Sequence, residues 1–380
     1  MVHIYRLLYA LFVLILFTLF GCKEHDKKLT SEKELPSKPI GLKQNYKDDF
    51  FIGAAVNDAL IEKRDSLGLE LLKTEFNSIT PENIMKWMHI HPGKGVYDFS
   101  LPDAYVDLGE RYQLFTVGHT LVWHSQLAEW VTEVKDSTEL KEVMEDHINT
   151  IVGRYKGKID SWDVVNEALK EDGSLRESVF YELAGEKYLE WAFELAAEAD
   201  PEAQLTYNDY NLTNPEKRAG AISIVKQLKD KGLKIDVVGM QGHWNLKGPS
   251  LEEIEESILA YHKAGVKVAI TELDITVLPY PWDLEGAEVS QNFEGSEFMN
   301  PYPESLPDSV QRELADRYQS IFKLFLKHKD KIDRVTFWGI NDGSSWLNGW
   351  PIKNRTNYPL LFDRSYRPKD AYKSVLALKN

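Results

Sequence analysis

Cysteine is all but missing: Cys22 is the only one in 380 residues. No intrachain disulfide can form, and no zinc site can be built on cysteine pairs. Positive charge is in deficit, with 45 Lys and Arg against 60 Asp and Glu and a net charge of −15. Such a surface repels nucleic acid and anionic membranes, and it suits an enzyme acting on an uncharged polymer. Three chemical signatures are absent as well. There is no G-x-G-x-x-G phosphate loop, no G-x-S-x-G nucleophile elbow and no H-E-x-x-H zinc motif. His119 and His124 are five apart, so on a strand they would face opposite ways and could not chelate together.

A membrane-spanning length is also missing at the N-terminus. Leu7 to Phe20 is a 14-residue run, apolar apart from Thr18, with Arg6 ahead of it. A bilayer needs about 20 apolar residues, whereas a cleaved signal peptide uses roughly 7–15. Leu19-Phe-Gly-Cys22 follows and resembles the lipobox of bacterial lipoproteins, which implies acylation of Cys22. Residues 1–21 therefore read as a lipoprotein signal peptide. Residues 22–49, rich in Lys, Glu, Ser and Pro, read as a flexible tether too polar to fold. The expectation is export and lipid anchoring. Lys23 is not the aspartate associated with inner-membrane retention, which favours the outer membrane or cell surface.

From residue 50 to 380 the chain has a rhythm. Eight runs have strand character: 50–56, 76–79, 114–122, 159–165, 204–208, 237–241, 266–271 and 335–340. Amphipathic helix patterns lie between them. Asn214-Pro215 opens one helix with an N-cap and Pro at the first helical position. Ser250-Leu-Glu-Glu253 is a capping box opening another. Eight alternations predict a single α/β domain, a (β/α)8 TIM barrel. An open doubly wound sheet would want a Gly-rich loop after its first strand, and 51–57 has one Gly. The rhythm breaks at about 279–308, a Pro-rich, aromatic loop on the face where a barrel keeps its active site.

The strand ends carry the chemistry. Every predicted strand finishes in polar or aromatic groups, among them His119, Trp123, Asn166, Glu167, Tyr210, Gln241, His243 and Trp338. Glu167 and Glu272 each follow an apolar strand and lie 105 residues apart. At roughly 35 residues per βα unit that is three units, which sets them nearly opposite on strands four and seven of the ring. Two carboxyls facing across a cleft are the equipment for cleaving a glycosidic bond. One must keep its proton and the other must stay ionised, so their surroundings have to differ. Asn166 beside Glu167, and His243 with Asp274 near Glu272, are candidates for that difference. Trp87, Trp123, Trp244, Trp338, Trp346 and Trp350 fall in or just past strand ends, where indole faces suit sugar rings.

Seven segments, in order, resemble the motif set of family 10 glycoside hydrolases, the endo-β-1,4-xylanases. They are Thr80-Pro-Glu-Asn-Ile-Met-Lys-Trp87, Gly118-His-Thr-Leu-Val-Trp-His-Ser-Gln126, Trp162-Asp-Val-Val-Asn-Glu167, Tyr207-Asn-Asp-Tyr-Asn211, Gly239-Met-Gln-Gly-His-Trp244, Ile270-Thr-Glu-Leu-Asp274 and Trp338-Gly-Ile-Asn-Asp342. The resemblance implies endo-hydrolysis of xylan or xylo-oligosaccharides with retention of configuration and no cofactor. Glu167 matches the general acid/base and Glu272 the nucleophile. His243 and Asp274 match the pair that holds the nucleophile ionised, and Asn166 the group binding the sugar 2-hydroxyl. Glu82, Asn83, Lys86, His119, Trp123, Gln126, Gln241, Trp338 and Trp346 match glycone-binding positions, and Tyr210 is counted with the substrate contacts. A monomer is expected, with membrane contact through the lipid alone. Two alternatives stay open: a surface lipoprotein that binds xylan without cutting it, and a β-1,4-glucanase on the same scaffold.

Overall fold

Eight parallel strands close into a ring. The computed structural model describes residues 40–284, 286 and 289–379, so the expected signal peptide, Cys22 and most of the tether lie outside the described residues. The barrel strands are β1 (Phe51–Val56), β2 (Ser78–Pro81), β3 (Phe115–Trp123), β4 (Ser161–Asn166), β5 (Gln204–Asp209), β6 (Val237–Met240), β7 (Lys267–Thr276) and β8 (Ile332–Phe337). Each pairs with the next, β1 pairs with β8, and β6 pairs directly with β7, so no edge is left open. Nearly every strand residue is buried, with Val, Ile, Leu and Ala prominent among them, as an all-parallel sheet covered by helices requires. At Gly53 the wall is crowded: an added Cβ would lie 2.7 Å from Thr336 Oγ1 across the β1–β8 pair.

The helices form where their signals lie. Asn214 Oδ1 accepts from Glu216 N at 3.0 Å, with Pro215 starting the helix Pro215–Asp230. At Ser250 both arms of the capping box are made, Glu253 N to Ser250 Oγ at 3.2 Å and Ser250 N to Glu253 Oε2 at 2.7 Å. The helix Asp308–Lys327 buries Leu314, Tyr318, Ile321, Phe322 and Phe325, a stripe at helical spacing that faces the barrel.

The structure departs from the sequence expectation at several points, and strand seven for one runs on to Thr276 rather than ending at 271. The tether was placed through residue 49, but Leu42–Asn45 is helical, and Leu42 and Tyr46 are fully buried. Tyr46 stacks on Phe50 at 5.4 Å and donates to the Val375 carbonyl, so the fold starts about eight residues earlier than its polar composition indicates. Strand eight runs 332–337 rather than 335–340, because Asp333 and Arg334 lie inside it. Arg334 is buried in the barrel, ion-paired to Asp163 at 3.6 Å and Asp333 at 3.4 Å, and a hydropathy pattern reads such charges as loop. A three-residue strand, His243–Asn245, pairs with Asp274–Thr276 at the end of β7, too short to leave a pattern of its own.

Candidate active site

Glu167 is the first residue past β4, and its backbone turns into the left-handed region with φ +56°. That turn swings the side chain inward over the barrel mouth, while the Glu167 backbone N–H donates to the Asn208 carbonyl at 2.8 Å. Trp123, the last residue of β3, gives its indole N–H to Glu167 Oε2 at 2.7 Å. The Gln241 amide gives an N–H to Oε1 at 2.9 Å. Glu167 is 95 % hidden from solvent, and burial raises its pKa above the ordinary carboxylate range, helped by the charge of Asp209. His124 and the two hydrogen bonds pull the other way without cancelling the burial.

Glu272 sits within β7 and has a different shell. Its Oε1 accepts from Asn208 Nδ2 at 2.8 Å, and its Oε2 lies 3.2 Å from His243 Nε2. Burial alone would raise this pKa too, but the His243 hydrogen bond, the His119 and His243 rings and Asn208 together hold it below the usual value. His243 passes the effect on. Its Nδ1 lies 3.0 Å from Asp274 Oδ1. Burial opposes the imidazolium, yet Asp274 and Glu272 outweigh it and the ring is pushed up to about 10. The short strand at 243–245 is what sets this ring beside Asp274, its partner in the strand register.

A chain of amides joins the two carboxyls. The Asn166 carboxamide lies 2.9 Å from Asn208 Nδ2 and 3.4 Å from Gln241 Nε2, so Asn208 touches Glu272 at one end and Gln241 touches Glu167 at the other. The role of Asn208 was not singled out from sequence. The signal existed, since Asn208 is the polar end of a buried strand and sits in the Tyr207–Asn211 motif, but a lone strand-end Asn is more often a helix cap than part of a site.

Around the pair is a cavity of about 260 Å³. It is lined by Glu82, Asn83, Lys86, His119, Trp123, Gln126, Asn166, Glu167, Gln241, His243, Glu272, Trp338 and Trp346, together with Val289 and Trp350. Thirteen of the fifteen catalytic and substrate-binding candidates thus meet in one cavity. Asp274 stands behind it, fully buried, holding His243 and accepting the Trp346 indole N–H at 2.8 Å. Tyr210 does not line it. That ring is pinned by the Arg176 guanidinium, 2.6 Å from its hydroxyl, and by Lys217 Nζ 3.4 Å from its centroid, and it borders a neighbouring cavity with Lys170 and Glu171. Val289 comes from the long loop and carries no chemical signature that sequence could show.

One side of the cavity is rich in charge. Lys86 Nζ donates to Asn83 Oδ1 at 3.0 Å and stands 5.0 Å from the Trp123 ring. Burial lowers its pKa, against the opposing pull of Glu272, Glu167 and Glu82. Burial likewise pushes Glu82 up to about 7, with Lys86 restraining it. Beneath, His119 Nδ1 bonds Asp163 Oδ2 at 2.9 Å, which links the floor of the site to Arg334 in the barrel core.

The model of glycosyl hydrolase family 10 matches residues 41–378, nearly every described residue. The chain belongs to glycosyl hydrolase family 10. Among family 10 relatives, endo-1,4-beta-xylanase A of Xylanibacter ruminicola is 44% identical over 334 residues, 87% of this chain and 90% of that protein. The beta-1,4-xylanase of Dictyoglomus thermophilum is 42% identical over 98% of both chains. Of solved family 10 structures, an endoxylanase retrieved from a sugarcane soil metagenome superposes with a TM-score of 0.85 at 46% identity, covering 90% of this chain and all of its own.

Proposed function

We propose that the chain hydrolyses internal β-1,4-xylosidic bonds of xylan and xylo-oligosaccharides with retention of configuration. Glu167 is the general acid/base and Glu272 the nucleophile. The observation that carries this reading is the opposite protonation bias of two buried carboxyls in one cavity, Glu167 raised and Glu272 lowered. The names of the relatives supply the polymer.

The steps follow from the contacts. Glu272, ionised and aimed by His243 and Asn208, attacks the anomeric carbon. Glu167 gives its proton to the departing glycosidic oxygen as that bond breaks. A glycosyl ester on Glu272 results. Water enters where the leaving sugar was, Glu167 now takes its proton, and attack on the anomeric carbon returns Glu272 as a carboxylate. Lys86, Asn83, Glu82, Gln126 and His119 offer donors and acceptors to glycone hydroxyls, while Trp338 and Trp346 offer flat apolar faces. A protein that only bound xylan would have no use for paired carboxyls with split proton affinities.

Glu167→Ala is expected to form the glycosyl ester from an aryl xyloside with a good leaving group and to turn over faster with added azide. Glu272→Ala is expected to form no ester at all, as read by intact-protein mass spectrometry. Near-normal xylan hydrolysis by Glu167→Ala would defeat the assignment.

Export and anchoring belong to the same proposal. Lipidation at Cys22 would hold the hydrolase at the outer membrane or cell surface, a reading supported by the run Leu7–Phe20 and the Leu19-Phe-Gly-Cys22 sequence. Cys22→Ser should then abolish incorporation of labelled palmitate, and incorporation that persists would refute it.

A further inference from the structure

The catalytic cavity opens onto a second groove of about 480 Å³, and the two share His243 and Trp350. Neither Glu82 nor Lys86 lines this groove, so on the xylanase reading, which puts the glycone at those two residues, it falls to the leaving-group side. Asn211, Asn245, Glu171 and Glu253 give it hydrogen-bonding groups, and Pro281 and Leu284 of the long loop form one lip. Those two residues are the base of a tight turn, closed by Leu284 N donating to the Pro281 carbonyl at 3.2 Å. Trp282 occupies the apex.

All ten tryptophans are described, and Trp282 alone is exposed, at 93 %. Among the described residues almost nothing covers this indole, although a buried indole would hide some 150–250 Å² of surface from water. Its neighbour is Asp283, and Glu171 and Glu253 line the groove below, so an anionic occupant is disfavoured. Continuity with the catalytic cavity, amides and carboxylates along the walls and a flat apolar ring at the rim fit one ligand class: a neutral sugar chain. We propose that Trp282 is a distal platform for the leaving-group side of the xylan chain, stacking on a xylosyl unit beyond the cavity and favouring long substrates over short ones. This rests on the xylanase reading above.

The test compares Trp282→Ala and Trp282→Phe with the full-length enzyme on xylotriose and xylohexaose. The ratio of kcat/KM on the hexaose to that on the triose is expected to fall by up to about tenfold in the alanine variant, the range of one aromatic contact. The phenylalanine variant keeps a ring and should stay within about twofold of the original ratio. An unchanged ratio in Trp282→Ala overturns the proposal while leaving the xylanase reading intact. A changed ratio accompanied by loss of a dimer in sedimentation would assign the indole to a second copy of the chain and also overturn it. Failure of the unmodified enzyme to cleave either substrate would instead sink the xylanase reading.

Discussion

Trp346 serves two neighbours at once. Its face borders the cavity and stacks on Trp350 at 4.5 Å, while its indole N–H fixes one oxygen of Asp274. The other Asp274 oxygen steadies His243, and His243 steadies Glu272, so a sugar-facing ring reaches the nucleophile through two intermediates. Trp346→Phe keeps an aromatic ring beside Trp350, smaller than the indole, and removes the donor to Asp274. Without it Asp274 can rotate, the imidazolium is aimed less well, and the Glu272 pKa climbs back toward the ordinary range. Since Glu272 must be ionised to attack, the acid limb of kcat/KM should move to higher pH, with a loss of about tenfold if the bond has the strength usual for a charged acceptor. A lowered kcat/KM with an unmoved acid limb would reduce Trp346 to a platform. Sequence showed the identity of these residues because strand ends in a barrel converge whatever the loops do. It could not show that Tyr210 is turned aside by Arg176 and Lys217, because those cations come from other segments.

At the scale of elements, the helix Trp87–Ile90 after β2 and the helix Ser137–Arg154 after β3 meet through a histidine pair. His91 Nδ1 and His147 Nδ1 lie 3.1 Å apart, and the His147 ring stacks on Trp87 at 3.6 Å. Burial lowers His147 well below its usual value and brings His91 down to about 4. In the unfolded chain both would titrate near about 6.5. Below that pH the unfolded state binds protons that the folded state refuses, so the pair's contribution is whole above about 6.5 and drains away toward pH 4. Replacing both by Phe should flatten the fall in urea-unfolding stability between those limits, and an equally steep fall would show that the pair is not responsible. The helices opening at Pro215 and Leu251 were legible from their caps and apolar spacing, whereas the meeting of the Trp87–Ile90 and Ser137–Arg154 helices through a histidine pair was not. The long loop was legible only as an interruption: that it sends Val289 into the catalytic cavity and Pro281 and Leu284 into the adjoining groove depends on contacts distant in sequence.

At the scale of the molecule, the two ends of the described chain are stitched together. Tyr46 donates to the Val375 carbonyl at 2.7 Å, Asn45 Nδ2 to the Leu376 carbonyl at 2.8 Å, and Asp49 is ion-paired with Lys329 and Lys379. A chain beginning at residue 40 should therefore match the full-length protein in unfolding temperature. One beginning at residue 50 loses buried Leu42 and Tyr46, each about 1.5–3 kcal/mol of hydrophobic burial, and should melt several degrees lower. Equal melting of the two would mean that this segment merely rests on the surface. The barrel was readable from eight alternations and from the absence of a phosphate loop. Its ionic centre was not, since Arg334 and Asp163 lie in a core through partners on other strands, each other and, for Asp163, His119.

The backbone of Glu167, held at φ +56°, has a consequence for the durability of the whole barrel. Side chains other than glycine resist that geometry by about 1–2 kcal/mol. Comparing Glu167→Gly with Glu167→Ala removes the carboxyl from both and isolates the backbone component. The glycine form should withstand more denaturant, by about 1 kcal/mol, and equal resistance would show that the turn is at ease. Hydrolytic power here runs against the grain of the chain, and a descendant released from cutting could trade its proton donor for glycine and become a sturdier shell.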